Sequence, residues 1–228
     1  FNRGIRTESA AKRFFRPMLS ELIDPFLMND MDIAVDRLND AMGRKERIMV
    51  YGDYDVDGIS SSCLLTEYLR SLGLRTEIYI PDRLEEGYGL NTDAIERLRE
   101  RGVTLIITVD CGVTAVEETR CAASLGVDMI ITDHHECQAE LPHAVAVVDP
   151  KRPDCPCSNR DLAGVGVAFK LICALSGDAR TALARYADLT AVGTIADVMP
   201  LTGENRSIVS AGLEKLRRAP CPGLGALI

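Results

Sequence analysis

From Arg47 onward, short apolar runs alternate with amphipathic stretches of helical period. Residues 48–51 predict a strand, and 59–72 a helix stopped at Gly73. Residues 76–80 form the next expected strand, and Asn91 caps a helix running through Arg101. Further strands are expected at 104–109, 127–132 and 144–148, with a helix at 114–125. Strands alternating with helices build a parallel sheet flanked by helices, so the fold class is α/β. Upstream, residues 7–42 read as a helical lead-in broken at Pro17 and Pro25. Beyond Pro150 the strand signal stops. A loop rich in Pro, Asp and Cys covers 151–161, helices are expected at 165–175, 179–196 and 205–216, and 220–225 looks like a linker. The expected organisation is thus a lead-in at 1–45, a main domain at 46–220, and from 221 to 228 the start of a linker to a domain beyond this chain.

The chemistry gathers at the ends of the predicted strands. The first carries Asp53, Asp55 and Asp57, the third Asp110, and the fourth Asp133-His134-His135. A doubly wound sheet binds ligands outside the carboxyl ends of its strands. If the backbone beyond a strand stays extended, alternate residues point the same way, and Asp53, Asp55 and Asp57 aim into one cavity. Taken alone, the triple is explained equally well by a polar turn capping a helix. Gly58 permits a sharp turn into a helix opening Ile59-Ser60-Ser61, whose free N–H groups and hydroxyls suit a phosphate. Asp110 and the Asp-His-His triplet at successive strand ends shift the balance to a metal centre. Mixed carboxylate and imidazole ligands suit Mn²⁺, or Mg²⁺ with more water, and not a thiolate zinc site. Asp197 closes a largely apolar helix, where burial without a partner is costly and a metal would resolve the cost. Asp149 precedes Pro150 and fits either a turn or the cleft, while His143 reads as an ordinary surface histidine.

Composition narrows the classes. Of 228 residues, 46% are hydrophobic and 26% charged, as in an ordinary globular protein, and no apolar run approaches a membrane span. The opening Phe1–Arg6 is polar and has no signal-peptide character. Eight cysteines without a secretory signal point to reduced thiols, and Cys155-Pro156-Cys157 lacks the partner pair that zinc requires. A net charge of −8 is unusual for a nucleic-acid binder. Residues 1–50 hold nine Lys/Arg against eight Asp/Glu, so the acid lies in the rest of the chain. Two divalent cations at Asp55, Asp57, Asp110 and Asp197 would bring the balance from −8 to −4. A Rossmann-type dinucleotide site is the weakest alternative, because the first strand–helix turn lacks its glycine fingerprint.

Taken together, Val50–Gly58, Thr108-Val109-Asp110-Cys111-Gly112, Asp133-His134-His135 and Val147-Val148-Asp149-Pro150 resemble the successive motifs of the DHH phosphoesterase superfamily. The stretches 162–170 and 194–201, with the lead-in around Ala11–Pro17 and Asp24–Met28, resemble its bacterial RecJ branch of single-strand-specific 5′→3′ DNA exonucleases. That resemblance implies two Mn²⁺ or Mg²⁺ ions. Asp55 would bind the first, Asp57 the second, and Asp110 both. His134 and Asp197 would complete the ligand shell of the second metal, with Asp53 as an added ligand. His135 would contact the scissile phosphate or protonate the leaving group, and Ser60 and Ser61 would hold phosphate. Tyr51 stands where many members carry His. The resemblance further implies single-stranded DNA as substrate, a cytoplasmic repair or recombination setting, and a single-strand-binding protein or helicase as partner. Lys151, Arg152, Arg160 and Lys170 would guide the strand. A small-substrate phosphoesterase acting on pyrophosphate, cyclic dinucleotides or short oligoribonucleotides stands as the alternative, and a silent scaffold as a third reading.

Overall fold

The computed structural model describes residues 5–84, 86–87 and 89–228; the opening Phe1–Gly4 lies outside them. The lead-in holds α1 (Glu8–Phe15), two single 3₁₀ turns at Leu19–Glu21 and Pro25–Leu27, and α2 (Met31–Arg44). The α/β part runs β1 (Arg47–Gly52), α3 (Val56–Ser71), β2 (Arg75–Tyr79), α4 (Thr92–Glu100), β3 (Leu105–Val109), α5 (Val116–Ser124), β4 (Asp128–Thr132) and β5 (Ala146–Val148). Four helices follow: α6 (Gly164–Ser176), α7 (Ala179–Ala196), α8 (Gly203–Arg218) and α9 (Pro222–Leu227). The expected linker at 220–225 is therefore partly helical. Pro222 sits in the first turn of α9, where its missing N–H costs nothing.

All pairings in the five-stranded sheet are parallel, in the order β2-β1-β3-β4-β5. Both faces are covered, which the alternation within β1 already requires. Ile48 and Val50 pack with α2, α3, α6 and α7 on one face, while Met49 and Tyr51 pack with α4 and α5 on the other. Strand order reverses between β1 and β3, and that is where a sheet of this kind leaves a crevice.

The register fixes what faces the crevice. Gly52 pairs with Val109, Val109 with Thr132, and Thr132 with Val148. The next residue on each strand is an aspartate: Asp53, Asp110, Asp133 and Asp149. Backbone bonds continue the ladder into this row, from Asp110 N to Thr132 O (3.0 Å) and from Asp133 N to Val148 O (3.2 Å).

Candidate metal centre

The Asp53–Asp57 run does not continue as a strand. The chain turns after Gly52, and α3 begins at Val56 with Asp55 as its N-cap, whose side chain accepts from Gly58 N at 2.9 Å. Asp57 thus lies in the first helical turn, and the expected alternation of an extended chain does not place it. Gly58 serves close approach: a Cβ there would stand 2.5 Å from the Asp53 carbonyl oxygen. Asp110 has φ +61°, a left-handed conformation that Asp tolerates better than most residues. Val198, just after Asp197, is also left-handed at φ +57°, where a β-branched residue is strained. Strain concentrates at functional sites, where the surrounding structure enforces it.

The predicted ligands, joined by His135, meet in three overlapping groups: Asp53, Asp55 and Asp110; Asp110, His134 and His135; Asp57, His134 and Asp197. In each, one donor atom per residue lies within 4.8 Å of the others. Asp110 and His134 are each shared by two groups. His134 Nε2 lies 3.0 Å from Asp110 Oδ1, 3.6 Å from Asp197 Oδ2 and 3.8 Å from Asp57 Oδ2. Even so, Asp110 Oδ1 is buried and accepts no hydrogen bond. Lone pairs that stand this close without bonding one another suit a shared cation, as do their hard oxygen and imidazole chemistry. Burial and the neighbouring carboxylates Asp57, Asp55 and Asp133 push the Asp110 carboxyl far above its ordinary range. Burial also raises Asp57, against two backbone hydrogen bonds, and raises Asp53. A divalent cation would relieve all three.

Asp133 does different work. Its Oδ1 accepts from His134 N (2.7 Å) and His135 N (3.2 Å) and pairs with His135 Nδ1 (2.7 Å), and its Oδ2 accepts from Val113 N (2.8 Å). Burial alone would raise its pKa, but these bonds outweigh burial and hold it below the ordinary value. The Asp133 bond raises the half-exposed His135 ring well above the usual imidazole range.

Several expectations need correction. Ser61 is fully buried, and its hydroxyl donates to Asp57 O (2.7 Å) inside α3, so it is closed to a phosphate. Ser60 is buried too, and borders the groove lined by Val56, Ile59 and Val192. Lys170 and Arg152 are not strand guides. The Lys170 ammonium is buried against Glu204 at 2.9 Å, and Arg152 is tied to Asp30 and Asp154. Arg160 is exposed, and its guanidinium bonds to the Lys151 carbonyl oxygen.

Other features were left open by the sequence or, in the case of Arg83, missed. Asp149 is completely buried; its Oδ1 accepts from Lys151 N (2.7 Å), its Oδ2 has no partner, and burial lifts its pKa to about 7. Its place in the register was the available signal. Exposed Arg83 lies 5.1 Å above the Tyr54 ring, and its charge favours the ionised form of Asp53. Tyr51 is buried, donates to Gly89 O (3.1 Å) and stacks on Tyr79, so it contributes packing where an imidazole would contribute a ligand.

A parallel α/β sheet whose switch-point strand ends converge on a carboxylate–imidazole cluster defines a metal-centre protein of the doubly wound class. The chain belongs to the DHH family, whose N-terminal domain matches residues 47–194. It is 48% identical over 226 residues to the single-stranded-DNA-specific exonuclease RecJ of Bacillus subtilis, covering 99% of this chain and 28% of that protein. Among solved structures it resembles an exonuclease RecJ bound to manganese, with TM-score 0.81 and 37% identity over 92% of this chain and 53% of the other. It also resembles RecJ of Thermus thermophilus in complex with Mn²⁺, with TM-score 0.81 and 34% identity over 99% of this chain and 32% of that one.

Proposed function

We propose that this chain carries the metal-dependent hydrolytic centre of a RecJ-type exonuclease, which cleaves single-stranded DNA 5′→3′ and releases mononucleotides. The observation that carries the reading is the trio of ligand groups sharing Asp110 and His134. Asp53, Asp55 and Asp110 would hold one Mn²⁺ or Mg²⁺, and Asp57, His134 and Asp197 a second, with Asp110 serving both. Such a pair of cations polarises the phosphoryl oxygens and stabilises the attacking and leaving oxygens of an in-line displacement. The remaining roles belong to the protein. Asp133 holds Nδ1 of His135 and orients the ring, whose Nε2 would meet the scissile phosphate and deliver a proton to the departing oxygen. Arg83 sits at the rim beside Tyr54, where its charge can take a flanking phosphate.

The relatives' names support the substrate, and the manganese-bound relatives support the metal. No helix among the described residues is long and apolar enough to cross a membrane. We place the activity in the cytoplasm, with a single-strand-binding protein or helicase presenting the substrate. The test is release of mononucleotides from a 5′-labelled single-stranded oligomer with Mn²⁺, comparing wild type and Asp110→Asn, with pyrophosphate and a cyclic dinucleotide in parallel. Mn²⁺-dependent DNA cleavage that the variant loses supports the proposal. Turnover of the small substrates alone overturns it in favour of a small-molecule phosphoesterase.

A further inference from the structure

Asp57 is held from far along the chain. Gly164 N donates to its Oδ2 at 2.7 Å and Val165 N to its Oδ1 at 2.9 Å, across sequence separations of 107 and 108 residues. These N–H groups open α6, whose N-cap position is Ala163 and makes no side-chain cap. The first N–H groups of a helix have no partner within it and carry partial positive charge. A carboxylate from α3 therefore does the capping that a local Ser, Thr or Asp usually does.

The fit is tight on two sides. A Cβ at Gly164 would stand 2.6 Å from Asp110 Oδ1, the buried oxygen that accepts no hydrogen bond. A Cβ at Gly193 of α7 would stand 2.7 Å from Asp57 Oδ1. Gly164 thus touches Asp57 through its N–H and Asp110 through its missing side chain, and these two carboxylates serve different ligand groups. Each Asp57 oxygen accepts one N–H of α6, and Oδ2 also lies 3.8 Å from His134 Nε2.

We infer that the α6 N-terminus is the positioning element of the metal centre, with Gly164 setting the spacing between Asp57 and Asp110. The inference rests on the metal-centre reading above and adds a residue that is neither ligand nor substrate contact. Any side chain at 164 must displace Asp110 or lift α6 off Asp57. Removing groups that orient ligands typically costs ten- to a hundredfold in metal affinity.

Mn²⁺ titration calorimetry on this chain, with melting temperature and far-UV circular dichroism, tests it using wild type, Gly164→Ala and Gly166→Ala. Gly166 lies on the same helix, but the three atoms nearest a Cβ there all belong to the Leu162 side chain, the closest at 3.0 Å. A folded Gly164→Ala variant should bind Mn²⁺ at least tenfold more weakly, with Gly166→Ala at wild-type affinity. A smaller loss in Gly164→Ala, or an equal loss in Gly166→Ala, overturns the inference. Absence of Mn²⁺ binding by wild type would instead sink the metal-centre reading. Should Gly164→Ala not fold, amide exchange on the metal-free chain decides. Gly164 and Val165 amides should be protected and lose protection in Asp57→Ala while Leu171 keeps its own; rapid exchange of both in wild type overturns the inference.

Discussion

Two of the buried polar clusters among the described residues differ in one respect. Lys170, Glu204 and Asn159 answer one another's polar groups. The ammonium meets Glu204 Oε2 (2.9 Å) and the Ile23 carbonyl, Glu204 Oε2 also accepts from Ile23 N (3.0 Å), and Asn159 reaches Glu204 Oε1 and Asn205 (3.1 Å each). At the strand ends, Asp110 Oδ1, His134 Nδ1 and Asp149 Oδ2 are buried without partners. A closed network fastens the lead-in, α6 and α8 together. An open one, gathered at a switch point, is poised for a ligand from outside the chain.

The largest effect should come from the open cluster. Asn keeps the left-handed backbone at position 110 comfortable, so Asp110→Asn removes charge and little else. The loss of several kcal/mol of transition-state stabilisation corresponds to about a thousandfold in turnover. The metal-free variant should unfold no more easily than wild type, because burial and the neighbouring carboxylates already hold the metal-free Asp110 carboxyl in its neutral form, which Asn resembles. Denaturant melts beside mononucleotide release check both halves, and a clear loss of metal-free stability would break the contrast.

The closed cluster should behave in reverse. Lys170→Ala leaves Glu204 buried and unpaired, at a cost of about 3–5 kcal/mol in unfolding free energy. Lys170→Met, which fills similar volume, still strands the carboxylate, so pairing it with Glu204→Gln should recover part of the loss. Urea melts of the two single variants and the double variant measure the coupling. Metal separates the clusters again. Mn²⁺ at about a hundred times its dissociation constant should stabilise wild type by about 2.7 kcal/mol, and Lys170→Ala by the same increment. Asp110→Asn should gain almost nothing in the same thermal melts.

Much of this was legible in the sequence. The alternation of Ile48 and Val50 with Met49 and Tyr51 required a sheet covered on both faces, and the strand-end acids marked the crevice. What was not legible depended on tertiary context. The start of α3 at Val56 follows from Asp55 turning back to cap Gly58, a choice that helical periodicity does not encode. Ser61 reads as a phosphate ligand until the helix face it occupies is known to be buried. Lys170 reads as a solvated cation because Glu204 and Ile23 are remote in sequence. Gly164 lies in the run Leu162-Ala163-Gly164-Val165-Gly166, whose small residues hint at close approach without saying to what.

A third cluster, at the rim of the lead-in, refines the comparison because it is only partly closed. Arg37 bonds Glu46 Oε2 and Asp128 Oδ2 (2.7 Å each), and Thr104 donates to Glu46 Oε2 (2.8 Å), yet Arg37 Nη1 is buried with no partner. Burial on its own would raise the Glu46 pKa, but the bonds from Arg37 and Thr104 outweigh it and depress the carboxyl below its ordinary 4.5. A depressed folded-state pKa gives stability that is present above the unfolded value and lost as pH falls through the folded one. Glu46→Gln should therefore cost about 1–2 kcal/mol near pH 7, the smallest of these effects. The gap from wild type should close as pH drops below 4.5. Chemical denaturation of both proteins across that range tests the sign. A gap that stayed constant into acid would mean that Glu46 contributes shape and not charge, and would move this cluster from the partly closed class to ordinary packing.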